Sequence, residues 1–247
     1  MKKFVIFGLG RSGTTSLSAS LSFPDTDNLI QEPLMLESGQ RHKIADITSK
    51  YEIREFPITE TSYRFLDEIY ERYDGFKHIY SSTQPLLNLN LVSYFREHDI
   101  RVLFLRRRSL LNAAISNHLK NDGAPRDAHI CRVQSQKDSP CADEKKLKAT
   151  MQWFYTCTAC ANLMLSENIQ EKNLLTFHYE DLYCQDIEAR KTNFNTICEF
   201  FEIDQKKLNS KVVEARFLFP HQEYTNKIYD HLPNYHKLQE KYKTLNG

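Results

Sequence analysis

Apolar residues follow two patterns along this chain. Continuous apolar runs bounded by polar residues are typical of strands buried on both faces of a sheet. Such runs predict strands at 4–7, 76–80, 102–105 and 173–179, and residues 28–33 are predicted to be a short strand or extended segment that ends at Pro33. Elsewhere, apolar residues recur every three or four positions, which is the spacing of one helix face. Helices are therefore predicted at 59–73, 86–98, 147–169 and 193–201, with shorter ones beginning near 14 and 110.

The predicted strands alternate with the predicted helices along the chain. This order predicts an α/β fold of three layers, with a central, mostly parallel sheet flanked by helices. A chain of 247 residues is long enough for one large domain, and we expect a single domain over 1–247. Residues 118–149 are polar and contain Gly123 and two prolines, so we expect a long surface excursion there.

Composition and charge exclude several classes of protein. The 33 Lys and Arg residues nearly balance the 32 Asp and Glu residues, so no global field favours a nucleic-acid partner. No apolar run approaches the ~20 residues of a membrane span, and the strand beginning at Phe4 leaves no room for a signal peptide. We therefore expect a cytoplasmic protein without a membrane span. The six cysteines show no paired metal-ligand spacing, and Cys157 and Cys160 lie within a predicted helix, so we expect no metal.

The segment 8–16 joins the first predicted strand to the first helix through a glycine-rich turn. Such a turn directs backbone N–H groups and a helix dipole at one point, where an anion, most often a phosphate, binds. Gly8, Gly10 and Gly13 match the dinucleotide-binding fingerprint G-x-G-x-x-G. An ordinary ATPase loop would need a lysine here, and none occurs between Lys3 and Lys43.

The same turn carries a cation, a glycine and two hydroxyls in the order Arg11-Ser12-Gly13-Thr14-Thr15. After a buried strand, this sequence resembles the 5′-phosphosulfate loop of the sulfotransferases, which have a P-loop-like fold. The resemblance implies that the cofactor is 3′-phosphoadenosine 5′-phosphosulfate (PAPS) and the product adenosine 3′,5′-bisphosphate. It also implies that the residues binding the 5′ end are Arg11, Ser12, Gly13, Thr14, Thr15 and Ser16.

A second motif supports this resemblance. Arg108 follows the strand at 102–105, and Ser116 stands eight residues further on. In sulfotransferases, an arginine and a serine at this spacing bind the ribose 3′-phosphate. The residues around them resemble those of the bacterial and carbohydrate branch of the family. Looser similarities are the Tyr-Glu-Asp-Leu at 179–182, whose role in the family is mainly structural, and the Asn-Tyr-x-x-Leu at 234–238.

The resemblance also indicates a general base. Glu32 stands 21 residues after Arg11, a spacing similar to that of the catalytic glutamate in tyrosylprotein and carbohydrate sulfotransferases. We therefore expect Glu32 and Arg11 to be catalytic. The rival base is His78, by looser similarity with the cytosolic branch of the family.

The chain departs from the family at one position. Many carbohydrate sulfotransferases have a lysine directly before a proline after the second strand, aimed at the transferring sulfonate. Here the corresponding residues are Ser82-Thr83-Gln84-Pro85. Either Arg11 or Lys77 supplies the missing charge, or catalysis is weak.

The resemblance thus implies a transferase that moves a sulfuryl group from PAPS to an acceptor hydroxyl or amine, with a carboxylate as base. Two alternatives remain open. One is an NAD(P)-dependent dehydrogenase that uses the glycine pattern of 8–13, and the other is a non-catalytic nucleotide-binding homologue. A small-molecule or carbohydrate acceptor is expected, although sugars, lipids, phenols and peptides all fit the sequence.

Overall fold

The computed structural model describes residues 2–24, 26, 28–34, 41–51, 60–121, 143–218 and 234–243. Within these ranges the strands are β1 (Phe4–Gly8), β2 (Leu29–Gln31), β3 (Gly75–Ile79), β4 (Arg101–Arg106) and β5 (Leu174–His178). The described α-helices are α1 (Thr14–Ser20), α2 (Ala45–Lys50), α3 (Glu60–Arg72), α4 (Pro85–Glu97), α5 (Leu110–Asn121), α6 (Glu144–Asn168), α7 (Tyr179–Leu182), α8 (Ile187–Phe201), α9 (Ser210–Val213) and α10 (Tyr235–Lys241). Short 3₁₀ turns occur at 41–44, 171–173 and 205–207, and a π turn at 214–218. All five predicted strands and the predicted helices are confirmed.

The strands form one sheet in the order β2-β3-β1-β4-β5, and every neighbouring pair is parallel. From β1 the chain continues to β2 at one edge of the sheet, and from β4 it continues to β5 at the other edge. The direction of winding therefore reverses between β1 and β4. In open α/β sheets, ligands bind beyond the carboxyl ends of the strands at such a reversal.

The central strand β1 contributes to two hydrophobic cores. Phe4 and Ile6 pack on the side covered by α1 and α8, whereas Val5 and Phe7 pack on the side covered by α3, α4 and α6. All four side chains are fully buried. Burial on both faces explains why this strand reads as a continuous apolar run instead of an alternating one. A smaller cluster joins α5, α6 and α10 through Leu111, Met151 and Leu238.

The predicted excursion at 118–149 is described only at its ends. Residues up to Asn121 continue α5, and α6 begins at Glu144. Residues 122–142, which include Cys131 and Cys141, lie outside the described part of the chain, as do 219–233 in the tail. The excursion and the extent of the single domain therefore remain predictions.

No helix within the described ranges is both long enough and apolar enough to cross a membrane.

Gly75 is required by close packing where β3 begins. A Cβ placed on Gly75 would lie 2.5 Å from Cε2 of Phe4, and the Phe4 ring is stacked on Phe201 at a centroid distance of 4.2 Å. We expect Gly75→Ala to lower the free energy of unfolding by about 1–3 kcal/mol, because a buried aromatic pair has to move. Chemical denaturation measures this, with Gly10→Ala as the control, since no atom lies within 4 Å of a Cβ there. Equal losses in the two variants would contradict this expectation.

Candidate functional site

The loop after β1 is held in its turn by its own side chains. Arg11 has a φ of 66° and Gly13 a φ of 80°, both in the left-handed region. Ser12 is fully buried, its Oγ donates to the carbonyl of Leu9 at 2.5 Å, and its backbone N–H donates to the same oxygen. Both donors of Ser12 therefore stabilise the turn, and we assign Ser12 a part in shaping the loop.

Gly13 is the N-cap of α1, where the chain passes beneath two tyrosines. A Cβ on Gly13 would lie 2.7 Å from the Tyr183 ring and 2.8 Å from the Tyr179 ring. The Tyr183 hydroxyl donates to the carbonyl of Gly13 at 3.2 Å, and burial raises the pKa of Tyr183. Position 13 thus requires glycine both for its backbone angle and for space.

Three hydroxyl residues form the first turn of α1. Thr14 is buried, Thr15 is exposed and Ser16 is partly buried. Of the two threonines, Thr15 presents its side chain to the carboxyl edge of the sheet, where Lys77 donates to its Oγ1.

Arg11 joins the two sequence motifs in space. Its Nε donates to Oγ of Ser116 on α5 at 2.8 Å, although the two residues are 105 positions apart in the sequence. Their contact bridges the loop after β1 and the helix after β4, at the reversal of the sheet. The structure thus brings one residue of each predicted nucleotide-binding motif into contact.

Arg108 is the second residue after β4 and is half-exposed. Its guanidinium donates to Oδ2 of Asp181 at 2.9 Å. The backbone N–H groups of Arg108 and Ser109 both donate to the carboxylate of Glu180, at 2.9 and 3.2 Å. The acids of the 179–182 segment therefore fix the loop that carries Arg108, as the resemblance implied.

The arginine before it, Arg107, has a different environment. It is buried, lies 3.5 Å from Glu180 Oε1 and covers the Tyr179 ring at 3.8 Å from the centroid. Arg107 thus anchors the β4 loop to the β5 edge of the sheet.

A second polar cluster lies where β2 and β3 end. Glu32 has a φ of 51°, and its backbone N–H donates to the carbonyl of Lys77 at 2.8 Å. The Lys77 ammonium lies 2.6 Å from Oε1 of Glu32, 3.0 Å from Oγ1 of Thr15 and 3.5 Å from Oε1 of Gln31. The predicted base is therefore linked to the loop after β1 through one buried lysine.

His78 follows Lys77 on β3, so its side chain points to the opposite face of the sheet. It is fully buried, packs against the Phe7 ring at 5.2 Å, and burial lowers its pKa to about 4. The Asn88 amide nitrogen donates to Ser81 and Gln84 carbonyls, so His78 Nε2 donates to the Asn88 oxygen at 3.1 Å. This arrangement gives His78 a part in holding the turn after β3.

Sequence reasoning missed the contact that covers the turn after β3. The indole N–H of Trp153 on α6 donates to Oγ of Ser82 at 2.9 Å, and Trp153 remains 41% exposed. This contact joins α6 to the turn at the carboxyl end of β3. The single tryptophan of the chain, placed in a predicted helix, was the available signal.

The cysteines and other potential metal ligands are dispersed in the described ranges. Cys157 is buried and Cys160 is exposed, and both are free thiols. No group of three His, Cys, Asp or Glu side chains in these ranges is arranged to hold a metal ion.

Comparisons with known proteins find similarity to a solved structure but no matching family or curated sequence. No protein-family profile matches the chain, and no curated protein sequence matches it. A solved structure described as a sulfotransferase from Alicyclobacillus acidocaldarius aligns over 94% of both chains, at 15% identity and a TM-score of 0.45.

The buried His78 makes stability depend on pH in a predictable direction. Its pKa is about 4 in the folded protein against 6.5 for an ordinary histidine, so the unfolded chain binds more protons between these values. The contribution of neutral His78 to the free energy of unfolding is fully present above pH 6.5 and is lost as pH falls towards 4. We expect wild type to lose up to about 3 kcal/mol more than His78→Gln over this window.

Urea denaturation at several pH values measures this difference. His236→Gln is the control, because His236 is exposed on α10 and should leave the wild-type slope unchanged. Parallel profiles for wild type and His78→Gln would refute a lowered pKa at His78.

Proposed function

We propose that this protein transfers a sulfuryl group from PAPS to an acceptor hydroxyl or amine. The observation that carries the proposal is the 2.8 Å contact between Arg11 and Ser116. It unites the phosphosulfate-like loop and the arginine–serine motif at the reversal between β1 and β4. Two anion-binding motifs in one crevice match a nucleotide with phosphates at both the 3′ and the 5′ position.

The donor groups at this edge fit such a nucleotide. Thr15 and Ser16 offer hydroxyls and Arg11 a guanidinium on the 5′ side, with the turn itself shaped by Ser12, Gly13 and Thr14. On the 3′ side, Arg108 offers a planar fork for bidentate phosphate binding, and Ser116 offers a hydroxyl. Arg11, lying between the two sides, contributes to both.

PAPS supplies an activated sulfuryl group, and the protein has to position the acceptor and accept its proton. In the proposed reaction, the acceptor oxygen or nitrogen forms a bond to sulfur as the bond from sulfur to the bridging oxygen breaks. That oxygen keeps the electron pair and leaves on adenosine 3′,5′-bisphosphate, while the acceptor proton passes to Glu32. Glu32 directly follows β2 and lies beside the loop after β1, which suits this role.

The dehydrogenase alternative explains less of the site. It uses the three glycines of the turn, but it gives no purpose to Arg108 and Ser116. It would also need an acid for the ribose hydroxyls, for which Glu32 is the candidate.

Nucleotide binding gives the first test of this function. We expect adenosine 3′,5′-bisphosphate to raise the melting temperature and NAD to leave it unchanged. Arg108→Met should weaken bisphosphate binding by about 10- to 100-fold, the usual effect of losing a charge-assisted hydrogen bond. It should leave the affinity for adenosine 5′-phosphate nearly unchanged, because that ligand has no 3′-phosphate.

Titration calorimetry with both nucleotides measures these affinities. Arg64→Met is the matched control, since Arg64 is an exposed arginine paired with Glu60 on α3. Stabilisation by NAD alone would refute the proposal and favour the dehydrogenase.

Removing the proposed base gives the second test. We expect Glu32→Gln to lower the rate of sulfuryl transfer by about 10²–10⁴-fold, the usual contribution of a general base, and to keep bisphosphate binding. Transfer is followed with ³⁵S-labelled PAPS against sugar, phenol, lipid and peptide acceptors, and as hydrolysis to free sulfate. Glu199→Gln, an exposed acid on α8, is the control. Unchanged transfer would exclude Glu32 as the base, and tight binding without any transfer by wild type would favour a non-catalytic homologue.

A further inference from the structure

Lys77 occupies an unusual position for a lysine. It is the central residue of β3 and is only 3% exposed. Burying an ammonium is costly unless oxygen partners replace its water. The partners come from three positions, namely Glu32 Oε1 at 2.6 Å, Thr15 Oγ1 at 3.0 Å and Gln31 Oε1 at 3.5 Å.

These partners place the ammonium between the predicted base and the loop after β1. Thr15 belongs to the first turn of α1, and Glu32 directly follows β2. The Lys77 charge is therefore held at the junction where a sulfuryl group bound to the loop would meet an acceptor activated by Glu32.

Arg11, the other candidate for this charge, points elsewhere. Its Nε donates to Ser116 on α5, on the β4 side of β1, whereas Lys77 lies on the β3 side. The two cations thus occupy opposite sides of the loop. This separation assigns Arg11 to the nucleotide and leaves Lys77 next to the base.

We propose that Lys77 is a catalytic residue that stabilises the negative charge on the transferring sulfuryl oxygens. It substitutes from within β3 for the lysine that is missing before Pro85. The inference rests on the proposed function and deepens it. The ammonium holds Oε1 of Glu32, so Oε2 takes the acceptor proton, and the bonds made and broken are those of the transfer described above. The acceptor–sulfur bond forms, the bond from sulfur to the bridging oxygen breaks, and the electron pair leaves on the bisphosphate.

Comparison of two ligands tests whether Lys77 acts on the sulfuryl group. Adenosine 3′,5′-bisphosphate has no sulfuryl group, so Lys77→Met should bind it within about 3-fold of wild type. The same variant should lower kcat by about 10²–10³-fold, the usual effect of removing one transition-state donor. Lys77→Arg, which keeps the charge, should recover part of kcat. Lys3→Met is the matched control, because Lys3 donates to Tyr73 and Asp74 at the opposite end of the strands.

The double variant Lys77→Met/Glu32→Gln separates a direct role from an indirect one. It leaves no uncompensated charge in the cluster, so it remains testable if Lys77→Met alone does not fold. We expect it to transfer at least about 10-fold more slowly than Glu32→Gln, because the charge acts on the sulfuryl group as well as on the base. Equal rates would overturn the proposal, because Lys77 would then act only through Glu32.

The remaining outcomes distinguish this inference from the function on which it rests. If wild type binds the bisphosphate and transfers sulfuryl groups while Lys77→Met keeps the wild-type kcat, only the inference fails. A parallel loss of bisphosphate binding and kcat would make Lys77 a nucleotide ligand and would also overturn it. If wild type neither binds the bisphosphate nor transfers, the proposed function itself fails.

Discussion

The candidate site at the carboxyl ends of the strands depends on the position of β1 at the centre of a parallel sheet. Its side chains are buried on both faces, so the chain that leaves this strand has to turn between two helical layers. The turn at 9–13 meets this constraint with a buried serine and a left-handed glycine. Since β1 and β4 lead to opposite sides of the sheet, their loops diverge and leave room between them.

Buried charge organises the other half of the site. A lysine inside β3 destabilises the fold unless carboxylate and hydroxyl oxygens surround it. Lys77 meets this requirement by joining β2, through Glu32, to the first turn of α1, through Thr15. The same contacts that make its burial tolerable also hold a carboxylate beside the anion-binding loop. Stability and proposed chemistry therefore depend on one cluster.

The sequence predicted much of this arrangement for identifiable reasons. Apolar runs located the strands even though β3 carries Lys77 and His78 and the edge strand β5 is only partly buried. The spacing of Arg108 and Ser116 indicated a second anion motif, and its contact with Arg11 is now observed. The roles of Lys77 and His78 were left open, because two neighbours on a doubly buried strand cannot be assigned to faces by periodicity. In the structure, the Lys77 side chain lies on the face covered by α1, and the His78 side chain lies on the opposite face, against Phe7.

The three consecutive arginines at 106–108 also have environments that periodicity does not predict. Arg106 donates to Asn162 on α6, and Arg107 is buried against Tyr179 and Glu180. Only Arg108 remains half-exposed, with Asp181 as its partner at 2.9 Å. An ion pair of this exposure contributes roughly 0–1 kcal/mol, less than a charge-assisted contact to phosphate. Exchange of Asp181 for a 3′-phosphate would therefore cost little, while Arg107 keeps the loop in place.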